Sequence, residues 1–309
     1  MRRQTIVGLA ALMGLAAVAA ADVMPVARTG AVAMEPYGDD VTVAMLWEEV
    51  DLVLGPDRTD VKAVFGLRNT GSEDVTLDVG FPVLHNQTLE DFRVTVEGEA
   101  GPVEVTTVEP VNKMKRGQKK PESLPQWVAS RNLEGWLSWR MAFPKGVERK
   151  VTVTYAVRPL VQTAWGTGTD VPEKVREASA LRLTGYLLRT GQYWAGPIGR
   201  TVVRVHYGDA FPKAWVRGLR PPWRHWRDTR PIEDPWRHDE EAGTDTLVLE
   251  NVEPTYQHDV EIGYKTATVV EEIGLLVEAM RDGVTFDPHA LQHFSLADPV
   301  VRRYAIAAA

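Results

Sequence analysis

The chain has 309 residues and no cysteine, and its 42 acidic residues outnumber 35 Lys and Arg for a formal charge of −7. The lack of cysteine excludes thiol catalysis, cysteine-ligated zinc and iron–sulfur clusters, so core packing rather than disulfides must stabilise the fold. The acidic balance lacks the basic footprint of a nucleic-acid-binding protein, and the length suggests about two domains.

The first 21 residues have the pattern of a secretory signal peptide. Arg2 and Arg3 precede an apolar run over residues 6–21, which ends in three alanines that fit the small-x-small rule of signal peptidase. The run is shorter than the about 20 apolar residues of a membrane-spanning helix, and no later segment is long and apolar enough to cross a bilayer. The sequence therefore predicts cleavage near Ala21 and a periplasmic or secreted chain whose charge, without the two arginines, is −9. An uncleaved N-terminal anchor is the alternative.

Residues 22–160 alternate between apolar and polar positions, which is typical of half-buried strands. The many short, Val-rich strands predict an antiparallel sandwich-like domain. Strands over 61–67 and 75–81 are predicted to form a hairpin through the turn at 69–72.

One strand of this region, between Val41 and Leu54, loses its alternation. The phase slips near Glu48 and Glu49, which predicts a bulge or a strand break. Because neighbouring strand residues point to opposite faces, we interpret Glu48, Glu49 and Asp51 as a solvated strand edge rather than as a pair of glycosidase carboxylates.

The rest of the chain predicts a connector, a second β domain and a helical tail. Residues 161–180 contain a short helix with Asp170 as N-cap, and strand-like alternation returns over 181–267. In residues 268–309, apolar positions fall at helical spacing up to Met280, and Gly283 is a suitable helix stop. The predicted fold class is mainly β, with two antiparallel β-sandwich-like domains and a short helical C-terminal tail.

The most distinctive segment covers residues 186–199. Its glycines allow backbone shapes that other residues disfavour, and Trp194 is large enough to anchor a turn against the core. Together with residues 80–82 and 251–254, this segment resembles a family of secreted bacterial β-rich proteins of unknown function. The matching positions are Phe65, Asn69, Gly80, Phe81, Pro82, Tyr186, Thr190, Gly191, Trp194, Gly196, Ile198 and Gly199. The resemblance covers roughly residues 22–267 and brings no catalytic residue, so we predict a structural role for these positions.

Residues 220–240 have the most unusual composition of the chain. They contain three tryptophans, four prolines, five arginines and five acidic residues, so their net charge is zero. The prolines predict a stiff loop rather than a regular element. Indole faces can stack on sugar rings and arginine can contact them through cation–π interactions, which makes this loop a candidate ligand site. The candidate residues are Trp223, Arg224, Trp226 and Trp236. The alternative is that the tryptophans fold back and cap the sheet.

No motif of an enzyme is present. The sequence lacks a phosphate-binding Gly-Lys-Ser/Thr loop, a Gly-x-Ser-x-Gly elbow and a Ser-x-x-Lys pair. His289 and His293 have the spacing of two metal ligands, but Ala290 replaces the glutamate of a zinc protease motif. We predict no catalytic residue, metal, nucleotide or cofactor, and an exported cell-envelope binding or scaffold module whose partner is a polysaccharide or a protein. The alternatives are an envelope glycan hydrolase with unidentified carboxylates, or an assembly subunit that docks through the C-terminal helix.

Overall fold

The fold is known from a computed structural model. It describes residues 19–21, 24–28, 33–36, 41–84, 88–110, 133–162, 172–207, 217–218, 235–239, 241–255, 258–267 and 269–284. In these ranges strands dominate and the helices are short, so the predicted mainly β class is confirmed.

The largest element is a seven-stranded sheet. Its strands, in spatial order, are β15 (Trp236–Asp239), β16 (Thr244–Val252), β13 (Ile198–His206), β4 (Val43–Leu54), β5 (Thr59–Asn69), β10 (Glu148–Val157) and β7 (Leu89–Val96). All neighbours are antiparallel except β13 and β4, which run parallel. Strands from both sides of the predicted connector therefore belong to one sheet.

Two smaller sheets pack around it. One contains β1 (Ala19–Ala21), β12 (Leu181–Leu187), β17 (Val260–Tyr264) and β14 (Arg217–Gly218) in that order, with β11 (Leu160–Gln162) also paired to β12. The other closes on itself through β2 (Met24–Arg28), β3 (Ala33–Pro36), β8 (Thr106–Pro110), β9 (Leu133–Phe143) and β6 (Val75–Leu84). The described helices are α1 (Glu173–Ser179), a 3₁₀ helix (Leu188–Tyr193) and α2 (Val269–Arg281).

Inward side chains of all three sheets meet in one hydrophobic core. Phe65 of the seven-stranded sheet, Phe143 of the closed sheet and Ile262 of the five-stranded sheet are buried in the same cluster. The segments 22–160 and 181–267, predicted as separate domains, thus share this core in the described part of the chain. The physical reason is the parallel pairing of β13 with β4, which inserts the later strands beside the earlier ones.

The predicted hairpin at residues 61–81 is wrong, although both strands and the turn are present. Strand β5 pairs with β4 and β10, whereas β6 pairs with β2 and β9 in the closed sheet. The fully buried Asn69 stabilises this change of sheet. Its amide nitrogen donates to the Phe143 and Glu73 carbonyl oxygens at 3.0 and 2.7 Å, and its oxygen accepts from the Gly71 N–H at 2.9 Å.

The predicted connector helix and the first helix of the predicted helical tail are present, and residues 285–309 of the tail lie outside the described residues. Helix α1 begins at Glu173 with Pro172 as its N-cap, and Asp170 lies outside the described residues. Helix α2 ends at Arg281, and the expected stop Gly283 follows it with a φ of +88° and donates its N–H to the Met280 carbonyl oxygen. Leu276 is buried, whereas Met280 is 38% exposed. No helix in the described ranges is long and apolar enough to cross a membrane.

Candidate functional site

Strand β4 changes the face to which its side chains point. Its register with β5 shifts between Met45 and Trp47, so Leu46 is an extra, bulged residue. Before the bulge Val43 and Met45 are buried, and after it the buried positions are the even-numbered ones from Glu48 onward. The sequence predicted this bulge about two residues too late. The sequence-based interpretation of Glu48 as part of a solvated edge is wrong. Strand β4 is the central strand of its sheet, and after the bulge the Glu48 side chain points into the core.

Two glycines on the neighbouring strands leave space for this bulge. A Cβ atom on Gly199 of β13 would lie 2.4 Å from the Leu46 carbonyl oxygen. A Cβ atom on Gly66 of β5 would lie 2.2 Å from Nε1 of Trp47, whose indole covers that glycine on the outer face of the sheet. Neither contact is possible for a real side chain. Gly199 therefore has a steric function in setting the orientation of Glu48.

The Glu48 carboxyl group lies at the interface of the seven-stranded and five-stranded sheets. The Tyr186 hydroxyl of β12 donates a hydrogen bond to its Oε1 at 2.9 Å, and Oε2 has no hydrogen-bond partner. Burial raises the pKa of Glu48 to about 8, although the Tyr186 and Thr201 hydroxyls lower it. Thr201 pairs with Glu48 across β13 and β4, but its hydroxyl faces the carboxyl without making a hydrogen bond of normal geometry. Burial thus favours the protonated, uncharged form of Glu48.

A second polar contact joins the same two sheets at the turn after β4. Arg182 Nε of β12 donates to the Pro56 carbonyl oxygen at 2.6 Å, and the Tyr264 hydroxyl of β17 donates to the Gly55 carbonyl oxygen at 2.8 Å. Burial raises the pKa of Tyr264. The five-stranded sheet therefore contacts β4 in the middle of that strand and again just after its end.

The segment 186–199 runs from β12 past the start of β4. Trp194 is 3% exposed and meets Phe143 edge to face, with ring centroids 6.3 Å apart. The next residue, Ala195, donates its N–H to the Val43 carbonyl oxygen at 2.8 Å. Thr190 and Ile198 are fully buried, and the φ of Gly196 is +71°. The structure thus places this part of the motif in the core, around the start of β4, where the bulge lies.

The earlier motif residues, Gly80 to Pro82, lie in β6. Phe81 is buried and packs edge to face on Tyr155 and Phe92, with centroid distances of 5.0 and 5.1 Å. Pro82 pairs with Trp136 of β9. These residues belong to the aromatic packing between β6 and the sheet that contains Tyr155.

The Trp-rich loop is attached at its two ends to different sheets. Before it, β14 pairs with β17 and is the last strand of the five-stranded sheet. Near its C-terminal end, residues 236–239 form β15, so the prediction of a loop without regular structure is wrong there; β15 pairs with β16 and is the last strand of the seven-stranded sheet. Trp236, the first residue of β15, is 7% exposed and belongs to the core, so it is not available to stack on a ligand. Trp223, Arg224 and Trp226 lie outside the described residues.

Ionisable side chains also cluster on the outer face of the seven-stranded sheet. His206 lies between Asp51, 2.9 Å from its Nε2, and Thr244, 3.2 Å from its Nδ1. The order hydroxyl, imidazole and carboxylate is that of a hydrolase triad. However, the Thr244 hydroxyl donates to the Ala242 carbonyl oxygen at 3.2 Å, and the histidine and aspartate side chains are one-third exposed. His206 is therefore not placed to activate Thr244 as a nucleophile.

The described residues contain no cluster of three or more potential metal ligands. His289 and His293 lie outside the described ranges, so the sequence prediction of no metal there is untested.

Comparison with solved structures indicates a fold shared with one protein of Legionella pneumophila. The "putative nutrient binding protein" of Legionella pneumophila subsp. pneumophila aligns with 94% of this chain and 83% of its own, with a TM-score of 0.54 and 14% identity. An M1 zinc metallopeptidase from Deinococcus radiodurans aligns with 74% of this chain and 45% of its own, with a TM-score of 0.33 and 10% identity. Yeast LTA4 hydrolase in complex with bestatin aligns with 77% and 31%, with a TM-score of 0.37 and 10% identity. The chain spans less than half of either enzyme. No family model and no curated protein matches the sequence.

Proposed function

We propose that this chain is an exported cell-envelope protein that binds a polysaccharide through its Trp-rich loop. The observation that carries the proposal is the attachment of the loop to the edge strands β14 and β15 of two different sheets. A loop fixed at both ends to a packed core presents its side chains with a small loss of entropy on binding. Trp223, Arg224 and Trp226 supply stacking faces and a cation for the rings and hydroxyls of a sugar chain. The shared fold with the Legionella protein supports a binding role.

Binding is favoured over hydrolysis because the buried carboxyl groups of the described residues have structural partners. Glu48 accepts a hydrogen bond from Tyr186, Asp245 contacts His238 at 2.7 Å, and Asp259 forms an ion pair with Arg189. Glycoside hydrolysis requires two carboxyl groups that both reach the substrate. The Glu48 carboxyl, which is enclosed between two sheets, does not meet this requirement.

Export predicts that the mature protein begins near Asp22. Strand β1 consists of the last three residues of the predicted signal peptide, and it pairs in parallel with residues 185–187 of β12. Cleavage after Ala21 would therefore remove β1 from the sheet. N-terminal sequencing and intact mass of the protein from the periplasmic and medium fractions check this prediction, and Met1 retained in those fractions would contradict it.

The loop proposal predicts a binding defect without a folding defect. Replacing both Trp223 and Trp226 by alanine should weaken binding to purified envelope polysaccharide tenfold or more. Stacking on an aromatic side chain contributes about 1–3 kcal/mol per nucleic-acid base, we expect the same order for a sugar ring, and about 1.4 kcal/mol is one decade of affinity. Isothermal titration calorimetry measures the affinity, and thermal unfolding measures stability on the same samples.

Trp236 provides a matched control within the same segment. Trp236→Phe keeps a buried aromatic ring and should retain binding, whereas Trp236→Ala should lower the free energy of unfolding by about 3–5 kcal/mol because it leaves a cavity in the core. Unchanged affinity of the Trp223/Trp226 double variant would exclude the loop as the binding surface. A large loss of its stability would mean that these indoles cap the core.

A further inference from the structure

The hydrogen bond between Tyr186 and Glu48 crosses the interface of two sheets. Tyr186 belongs to β12 of the five-stranded sheet, and Glu48 belongs to β4, the central strand of the seven-stranded sheet. The hydrogen bond therefore ties the middle of the larger sheet to β12.

Each described element around Glu48 presents an uncharged side chain to it. In its own sheet, Glu48 pairs with Thr201 of β13 and with Phe65 of β5, and from the opposite sheet it receives Tyr186. Its strand neighbours Glu49 and Asp51 point to the outer face, where both approach Arg204, at 3.2 and 3.6 Å. Burial raises the pKa of the Glu48 carboxyl, and the hydroxyls of Tyr186 and Thr201 lower it. These hydroxyls would stabilise a negative charge at this position.

We propose that Glu48 and Tyr186 form a proton-dependent latch between the two sheets, closed while Glu48 is protonated and opened when it ionises. An ionised carboxylate in an apolar interface is strongly destabilised unless water or a cation reaches it. Movement of β12 away from β4 would let water reach Glu48, which is fully buried between them. The latch requires no sugar ligand, so its test is independent of the proposed function.

The sign of the pH effect follows from linkage. The folded state raises the pKa of Glu48 from the ordinary value of 4.5 to about 8. Between these values the closed state binds more protons than the unfolded chain, so its stability is greatest below pH 4.5 and decreases as pH rises to about 8. Over this range, the folding constant of the wild type relative to a variant that cannot ionise should fall by up to about tenfold per pH unit.

The experiment follows the full chain between pH 5.5 and 9.5 by near-ultraviolet circular dichroism well below its melting temperature, and by thermal unfolding. We expect the wild type to change its aromatic signal with a midpoint near pH 8, and Glu48→Gln, whose amide stays neutral, to lack the step. Tyr186→Phe removes a hydrogen bond that favours ionisation, so its step should move to higher pH. Glu49→Gln, on the outer face, is the matched control and should keep the wild-type step.

Three outcomes would overturn the latch. The first is an aromatic signal that stays constant across this range in the wild type, and the second is a step that persists in Glu48→Gln. If Glu48→Gln does not fold, the infrared band of the protonated carboxyl in the wild type decides. The band should disappear as pH rises through about 8, and its absence at pH 6 would be the third contrary outcome.

Discussion

Trp194→Ala is expected to lower the free energy of unfolding by about 3–5 kcal/mol, the range for deleting a large buried aromatic side chain. The indole is 3% exposed and packs edge to face on Phe143 of the closed sheet. Its main chain follows the 3₁₀ helix that leaves β12, and Ala195 binds the start of β4. Trp194 thus joins all three sheets, so the cavity left by alanine cannot be filled by a shift of one loop. Urea denaturation followed by circular dichroism measures the effect.

Trp194→Phe is the control for this substitution. It retains an aromatic ring against Phe143 and should lose clearly less stability than the alanine variant. An alanine variant with an unchanged unfolding midpoint and lost ligand binding would contradict the structural role and would make Trp194 a site residue.

The sequence predicts the elements of this protein well where the information is local. Residues Val61, Ala63, Phe65 and Leu67 alternate in the sequence, and all four are buried on one face of β5. The C-terminal helix is predicted with its stop, because both its apolar spacing and Gly283 lie within one short segment. Period and turn chemistry are properties of a few consecutive residues, so a single sequence contains them.

Pairing between distant strands is not a local property. Arg200 lies opposite Trp47 in the parallel pair of β13 and β4, although about 150 residues separate them. Nothing in the alternation of either strand identifies its partner, and the two segments were therefore predicted as separate domains. The predicted hairpin from β5 to β6 failed for the same reason, since a turn after Asn69 suits a change of sheet as well as a hairpin.

The buried position of Glu48 depends on this distant pairing. The loss of alternation in β4 is visible in the sequence and correctly indicates a bulge. Which side of the bulge faces the core depends on β12, which brings Tyr186 to the carboxyl, and on Gly199 of β13. Tyr186 and Gly199 both belong to the most distinctive segment of the sequence, so the sequence does mark them as unusual. That both residues contact β4 is visible only in the folded structure.

Gly199→Ala is expected to destabilise the protein by about 3 kcal/mol, at the upper end of the range for overpacking a core. The added Cβ would lie 2.4 Å from the Leu46 carbonyl oxygen and 3.4 Å from its carbon. Because these are backbone atoms of a bulge, a side-chain rotation cannot relieve the clash, and β4 must move away from β13. The same movement displaces Glu48, two residues after Leu46. Urea denaturation gives the loss of stability, and hydrogen exchange of the β4 amides should show faster opening there than in the wild type.

Gly274→Ala is the matched control, because it adds the same methyl group where the structure has space. Gly274 lies within helix α2, and a Cβ atom there would meet nothing within 4 Å. The substitution should stabilise the protein by about 1 kcal/mol, since alanine favours the helical backbone more than glycine does. The two glycine substitutions are thus expected to have opposite signs. A Gly199→Ala variant as stable as the wild type would mean that β13 does not hold the Leu46 bulge in place, and that the inward orientation of Glu48 has another cause.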